Sequence, residues 1–471
     1  MSAEELPGVG RLVPAHELVE RGLAAARGPA IVMVEEGTSA DIRFANNTTT
    51  TNGVRRVRSV SVACFSGDGP GAAVGVASGS GPVDVVELVR RAEVDAASSP
   101  PAEDAAALIG PAQSAPSADF TAPPAETTAA VLAPLLGDLG AAFARGRAEG
   151  HVVAGFATHE VGTLYLGSST GVRLRHVDPS GTLELVARSA DGERSAWTGV
   201  ATEDFSDCSL AQMEDRLLGR LGWARRRVEL PAGRYETVLP PDAVADLMIV
   251  LSQATSGREA EEGGSVFSAR GGATRVGERL SPLAFTLVSD PAAPGLAARP
   301  FLATPVSGVD VSVFDNGAPL APTAWIDDGH LRRLRYHRAG AERSGALFTP
   351  PIDNLRLELP GASAGLDELV RGTERGLLLT CLWYIREVDL ATLLLTGLTR
   401  DGVYLVEHGE VVGAVNNFRF NESPVDLLAR ASEAGESVRA LSREWGEWMR
   451  RSAMPALRIP DFNMSSVSPA S

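Results

Sequence analysis

LMIVLSQATSGREAEEGGSVFS, residues 247–268, is the stretch whose reading decides the fold. Val244, Leu247, Met248 and Leu251 recur at helical spacing, so an apolar helix leads into the segment. It runs out into small and polar side chains at Ser252, Gln253, Thr255, Ser256 and Gly257, then into the acids Glu259, Glu261 and Glu262. A Gly263-Gly264 pair and a Ser265-Val266-Phe267-Ser268 step follow. The pattern predicts a buried helix whose far end reaches a polar pocket or an interface.

Two flanking stretches add to it. DIRFANNTTTTNGVRRVRSVSVA, residues 41–63, alternates apolar with polar side chains on either side of Asn46–Gly53. That reads as two half-buried strands joined by a turn. Residues 377–420 hold Trp383-Tyr384-Ile385-Arg386, the segment Thr396 to Gly402, and Glu407-His408-Gly409-Glu410-Val411. Asp401-Gly402 and His408-Gly409 are spaced as hairpin turns that need positive φ.

Together these stretches resemble the TldD/PmbA family of metallopeptidase-related proteins, known in an older name as modulators of DNA gyrase. In the metal-bearing members the central segment carries a His-Glu-x-x-x-His zinc helix. Laid on that frame, the three chemical positions are Ser252, Gln253 and Gly257. Zinc needs imidazole or thiolate donors and a nearby carboxylate to activate its water. A hydroxyl, an amide and a bare glycine supply none of these. The chain therefore resembles the TldE (PmbA) type of subunit, and the resemblance implies no catalytic residue, metal or cofactor in this chain. It implies a TldD-like partner that brings the zinc, and substrates that are small unfolded proteins or peptides. Ser256, Glu259, Glu261 and Glu262 are then a candidate substrate or partner surface. Metal-bearing relatives draw a third ligand, a cysteine, from the region that holds Cys381, but aligning on Val388-Asp389 puts that position nearer Trp383, and a lone cysteine in an apolar strand reads as a small buried hydrophobe.

Composition narrows the other function classes. The chain has 471 residues and a formal charge of −16, from 43 basic and 59 acidic side chains. Its densest basic run, Arg225-Arg226-Arg227, reads as a helix C-terminus rather than a nucleic-acid face. Nothing approaches roughly 18 uninterrupted apolar residues, so no membrane span is expected. Three cysteines, Cys64, Cys208 and Cys381, without CxxC spacing suit a reducing compartment. The acidic, proline-broken residues 1–22 lack a signal peptide's pattern, and a cytoplasmic location is expected.

The fold class expected is α+β. Residues 1–230 read as an N-terminal α/β domain with a mixed or antiparallel sheet, flanking helices and a Pro/Ala-rich surface excursion at 98–128. Residues 231–471 read as a β-rich antiparallel domain, a curved or barrel-like sheet with few helices. In the first, helices are expected over 11–27, 83–97, 125–149 and 207–227, the last capped by Ser206 or Asp207. A turn is expected at Glu35-Glu36-Gly37, and separate strands at 151–158, 161–168, 171–178 and 182–189. In the second, strands are expected at 309–314, 376–388 and 411–420 among others. His16-Glu17 and His159-Glu160 lack a second histidine at metal spacing. Two other functions stay open: an autonomous peptidase or amidase using Ser252 or ligands not recognised, and a homodimeric peptide-binding protein that has lost catalysis.

Overall fold

The computed structural model describes residues 13–115, 117 and 119–468. The stretch read for a leader up to Leu12, including the start of the first predicted helix, and Pro116 and Ala118 of the excursion lie outside the described residues.

The first half comprises α1 (Ala15–Ala25), β1 (Ala30–Ala45), β2 (Thr48–Phe65), β3 (Val74–Ser80), α2 (Val85–Ser98), α3 (Ala133–Glu149), β4 (His151–Ser168), β5 (Arg173–Ser189), β6 (Ser195–Thr202) and α4 (Leu210–Trp223). The six strands form one antiparallel sheet in the order β3-β2-β1-β4-β5-β6. Asn46 and Asn47, at φ 52° and 56°, make the two-residue turn that closes β1 on β2. Both asparagines tolerate the left-handed region such hairpins require.

The strands are longer than expected. β1 runs straight through Glu35-Glu36-Gly37, and β4 and β5 run through the predicted breaks near His159 and Ser180. The polar residues that looked like turns are lateral partners instead. Glu36 pairs with Arg58 on β2, Glu160 with Arg450 at 2.6 Å, and Asp178 with Arg451. Helices α1 and α2 cover one part of the sheet through Val19, Leu88 and Val89 against Val32, Val60 and Val62. Helices α3 and α4 cover another, with Leu139 and Leu217 beside Phe44 and Leu183. The segment Ala129–Glu149 has the length and hydropathy of a membrane span, yet it lays Leu135, Leu139 and Phe143 into this core. Helix α4 is capped by Ser209, whose Oγ accepts from the Gln212 amide at 3.3 Å, rather than by Ser206 or Asp207. The Pro/Ala-rich segment is anchored: Leu108, Ile109 and Ala115 are buried with Phe301, Val313 and Phe314 of the second half.

The second half comprises β7 (Arg227–Val228), β8 (Gly233–Leu239), α5 (Pro241–Gln253), α6 (Gly257–Glu261), β9 (Thr286–Ser289), β10 (Thr323–Asp327), β11 (His330–Leu331), α7 (Arg338–Ser344), β12 (Leu355–Glu358), α8 (Leu366–Arg371), β13 (Arg375–Leu379), β14 (Leu382–Asp389), β15 (Leu394–Thr399), β16 (Val403–Glu407), β17 (Glu410–Val415), β18 (Phe418–Glu422), α9 (Pro424–Arg430), β19 (Glu433–Ala440) and β20 (Ser452–Val467). They build one branched sheet in which β20 pairs with β8, β12, β18 and β19. The pairing is mostly antiparallel, so the α+β class with a β-rich second half holds. Three pairs are parallel: β8 with β13, β12 with β20 and β7 with β17.

Helix α5 fills the core. Every residue from Ala243 to Leu251 is buried, which is how a helix apolar on all sides is accommodated. Residues 309–314 form no strand; they enter a buried 3-10 turn at Val313–Asp315. The run 376–388 breaks at Thr380-Cys381, and 411–420 divides between β17 and β18. His408-Gly409 does make a hairpin turn, at φ 53° and 80°, between β16 and β17. Asp401 has the expected positive φ of 55°, but the strands on either side of it, β15 and β16, do not pair with each other.

Candidate functional site

The predicted helix end is the junction between α5 and α6. Helix α5 stops at Gln253, and the Thr255 Oγ1 donates to the Ser252 carbonyl at 2.6 Å. Helix α6 then restarts at Gly257, with the Ser256 hydroxyl accepting from the Glu259 amide at 3.4 Å. Ser252 and Gln253 therefore belong to one helix and Gly257 to another.

What fills the space is a set of residues distant in sequence. The backbone of residues 334–336 runs beside 255–257, with Arg335 N–H donating to the Thr255 carbonyl at 2.7 Å and Gly257 N–H to the Arg335 carbonyl at 3.0 Å. The Arg335 guanidinium donates to the Gln253 carbonyl and pairs with Asp310 at 3.1 Å. Asp310 also accepts from the Ser256 hydroxyl at 2.7 Å. Burial pushes the Asp310 carboxyl up and the Arg335 guanidinium down, and each opposes the other's shift. The Tyr336 ring lies directly on Gly257, where an added Cβ would come within 2.0 Å of it. The Tyr336 hydroxyl donates to Glu261 at 2.6 Å, and Ser344 donates to the same carboxylate at 2.9 Å.

The predicted residues thus divide. Ser256, Glu261 and Gly257 are brought together, but as structural contacts. Glu262 pairs with Arg258 at 2.8 Å on α6 itself. Glu259 stays exposed, and burial followed by the nearby Asp310 raises its carboxyl. Ser252 donates back to the Ile249 carbonyl at 2.8 Å, a local bond that provides no general base. Arg335, Asp310 and Tyr336 were not foreseen, since nothing in their local sequence points to α5.

Tyr336 and Glu261 border a polar cleft of about 670 Å³ between the anchored Pro/Ala-rich segment and the second half, with Glu103, Arg258, His337 and Arg343 also in its walls. Glu103 crosses it to Arg258 at 3.0 Å. His337 is committed: its Nδ1 accepts from the Gly340 amide at 3.2 Å and burial lowers its pKa. The arrangement can hold an ionic or amide-bearing ligand, but it presents no activated nucleophile.

Zinc does not fit these residues. Among the described residues no cluster of three or more His, Cys, Asp or Glu is placed to hold a metal ion. His159 uses both ring nitrogens, with Thr127 and the Glu203 carbonyl, each at 2.7 Å. Cys381 is buried elsewhere, in the link between β13 and β14. The Arg443 guanidinium donates to its sulfur, pairs with Asp401 at 3.0 Å, and sits over Trp197 and Trp383 at 5.2 and 4.9 Å. Burial pushes the thiol up to about 12, so it is a packing group and an inert one. In the native chain at pH 8, Cys381 is expected to resist a thiol alkylator and to react only on unfolding. Mass spectrometry of the labelled peptides checks this.

A 14-stranded sheet packed on a helix buried from Ala243 to Leu251, together with a six-stranded antiparallel sheet, makes up the fold. Residues 232–466 match the PmbA/TldA metallopeptidase C-terminal domain, and the chain belongs to the TldD/PmbA family. The fold is similar to TldE of Thermococcus kodakarensis, with a TM-score of 0.74 at 17% identity over 95% of this chain and 98% of that one. It is similar to two proposed modulators of DNA gyrase. The one from Bacteroides thetaiotaomicron has a TM-score of 0.73 at 16% identity over 96% and 98% of the two chains. The one from Thermotoga maritima has 0.74 at 15% over 95% and 99%. No curated protein matches the sequence.

Proposed function

We propose that the chain works in the cytoplasm as the non-catalytic subunit of a two-chain zinc peptidase. A TldD-like partner supplies zinc and the catalytic carboxylate, while this chain closes the chamber and helps hold small unfolded proteins or peptides. The observation that carries the reading is the packing of Tyr336 on Gly257. It occupies the position where the family's zinc helix needs its second imidazole, and the Arg335–Asp310 pair beside it engages the Gln253 carbonyl and the Ser256 hydroxyl. A fold stabilised this way needs no metal at that position, which suits a subunit that contributes surface rather than chemistry.

The test is co-expression with a TldD-like protein from the same cell, followed by gel filtration, elemental analysis and cleavage of an unstructured peptide. The two chains are expected to co-elute, zinc to follow the partner, and turnover to need the partner. Near-stoichiometric zinc on the isolated chain, or turnover by it alone, would overturn the proposal. A stable dimer of this chain that excludes the partner would favour a peptide-binding protein instead.

A further inference from the structure

Among the described residues, the outer edge of β2 has no pairing strand over most of its length. β1 pairs with it from Thr48 to Cys64, but β3 pairs only from Ser59 to Phe65. β3 ends at Ser80, where Gly81, at φ 76°, donates its N–H to the Arg58 carbonyl at 2.9 Å before Pro82 turns the chain away. Side chains and hydrogen-bonding groups alternate along a strand. Since Arg58 directs its carbonyl towards β3, Arg56, Val54 and Asn52 direct their N–H and C=O groups outward as well, with no hydrogen-bond partner among the described residues. Val54 and Val57 are 51% and 54% exposed. A long exposed edge of this kind invites another strand unless it is blocked, and no proline or bulge blocks it between Asn52 and Arg58.

Both faces of the edge carry a groove. One, of about 500 Å³, has Pro82, Pro123, Pro124 and Tyr165 in its walls with Arg56 at its rim. The other, of about 260 Å³, is walled by Arg55, Val57 and Arg299 together with Glu35 of β1, and with Glu160 and Asp178, whose charges are met by Arg450 and Arg451. Arg55 makes no ion pair among the described residues, on a chain whose net charge is −16.

We propose that the Asn52–Arg58 edge of β2 binds an extended peptide as an added strand, taking the place β3 vacates at Gly81. The inference rests on the proposed peptide-handling role and names its site. Main-chain hydrogen bonds to Asn52, Val54 and Arg56 hold the peptide whatever its sequence. Alternate side chains enter the proline- and tyrosine-walled groove, where apolar groups fit. Those between them face Arg55, which favours acidic residues. The ligand class is thus an extended segment alternating apolar with acidic side chains.

The probe is a fluorescein-labelled heptapeptide of alternating valine and glutamate, followed by anisotropy on the full chain. A control peptide is N-methylated on alternate residues. Val54→Pro removes an outward N–H while leaving the β1 ladder intact, and is expected to weaken binding about tenfold or more, as is N-methylation. Arg55→Glu is expected to weaken it several-fold, with the difference shrinking as salt rises. Circular dichroism and melting temperature are expected to match the parent. Equal binding by Val54→Pro or by the methylated peptide, or no binding by the parent chain, overturns the proposal. Sedimentation showing a self-dimer that Val54→Pro dissolves would assign the edge to a second copy and overturn it too. Failure of the subunit role would show separately, as no co-elution of the unaltered chain with a TldD-like partner.

Discussion

Rebuilding the family's zinc sequence by Ser252→His, Gln253→Glu and Gly257→His is expected to destabilise the second half of the chain rather than create a metal site. The decisive change is at Gly257, where even a methyl group would sit 2.0 to 2.4 Å from three carbons of the Tyr336 ring. The ring cannot simply swing aside, because its hydroxyl is bonded to Glu261 and Arg335 beside it is paired with Asp310. Overpacking of this severity costs about 3 kcal/mol or more. Gly257→Ala alone should therefore lower the urea midpoint clearly, with the slope unchanged. Adding Tyr336→Ala should restore part of the loss, since the two residues touch and their effects are coupled. A triple variant that keeps the parent's stability and takes up zinc would remove the structural basis for a non-catalytic subunit.

The second large effect concerns pH. Asp246, on α5, is wholly buried and pushed up to about 8 by that burial, although it accepts from Ser442 Oγ at 2.5 Å and the Glu444 amide at 2.9 Å. Asp242, one turn earlier, is pushed up to about 6 by the same cause and accepts from the Leu441 amide at 3.1 Å. Between the unfolded carboxylate range near 4 and these raised values, the folded chain holds protons that the unfolded chain has released. Folding stability is therefore fully present at the acid end of that window and falls as pH rises through about 6 and then about 8. Asp246→Asn mimics the protonated acid. It should flatten the upper part of this decline and raise stability by about 4 kcal/mol more at pH 8.5 than at pH 5. Denaturant melts across that range check it; a parent whose stability rises from pH 5 to 8 would contradict the assignment. The effect bears on the whole molecule, because residues 441–451 connect α5 to the first half through Arg443, Arg450 and Arg451.

Much of the architecture was legible locally. The His408-Gly409 turn could be placed because left-handed backbone is confined to a few residue types, whereas the turn read over Asn46–Gly53 shrinks to Asn46-Asn47, with β2 already under way at Thr48. Helix α5 could be placed because its apolar positions recur at helical spacing. Strand limits were not legible in the same way. Glu36, Glu160 and Asp178 look like turn residues until their arginine partners are known, and two of those partners come from the other half of the chain. The parallel pairings were hidden for a related reason: local alternation marks a strand but carries no information about which neighbour it meets.

The sequence by itself determined the α+β class, the family, and the kinds of side chain at positions 252, 253 and 257, since donor chemistry is a property of the residue. Only the tertiary structure decided what stands beside them. Tyr336 and Arg335 reach Gly257 and Gln253 across some eighty residues of chain, and Leu108 and Ile109 reach Phe314 across two hundred. Contacts of that range follow from how the sheets curl and pack, which no short stretch of sequence encodes.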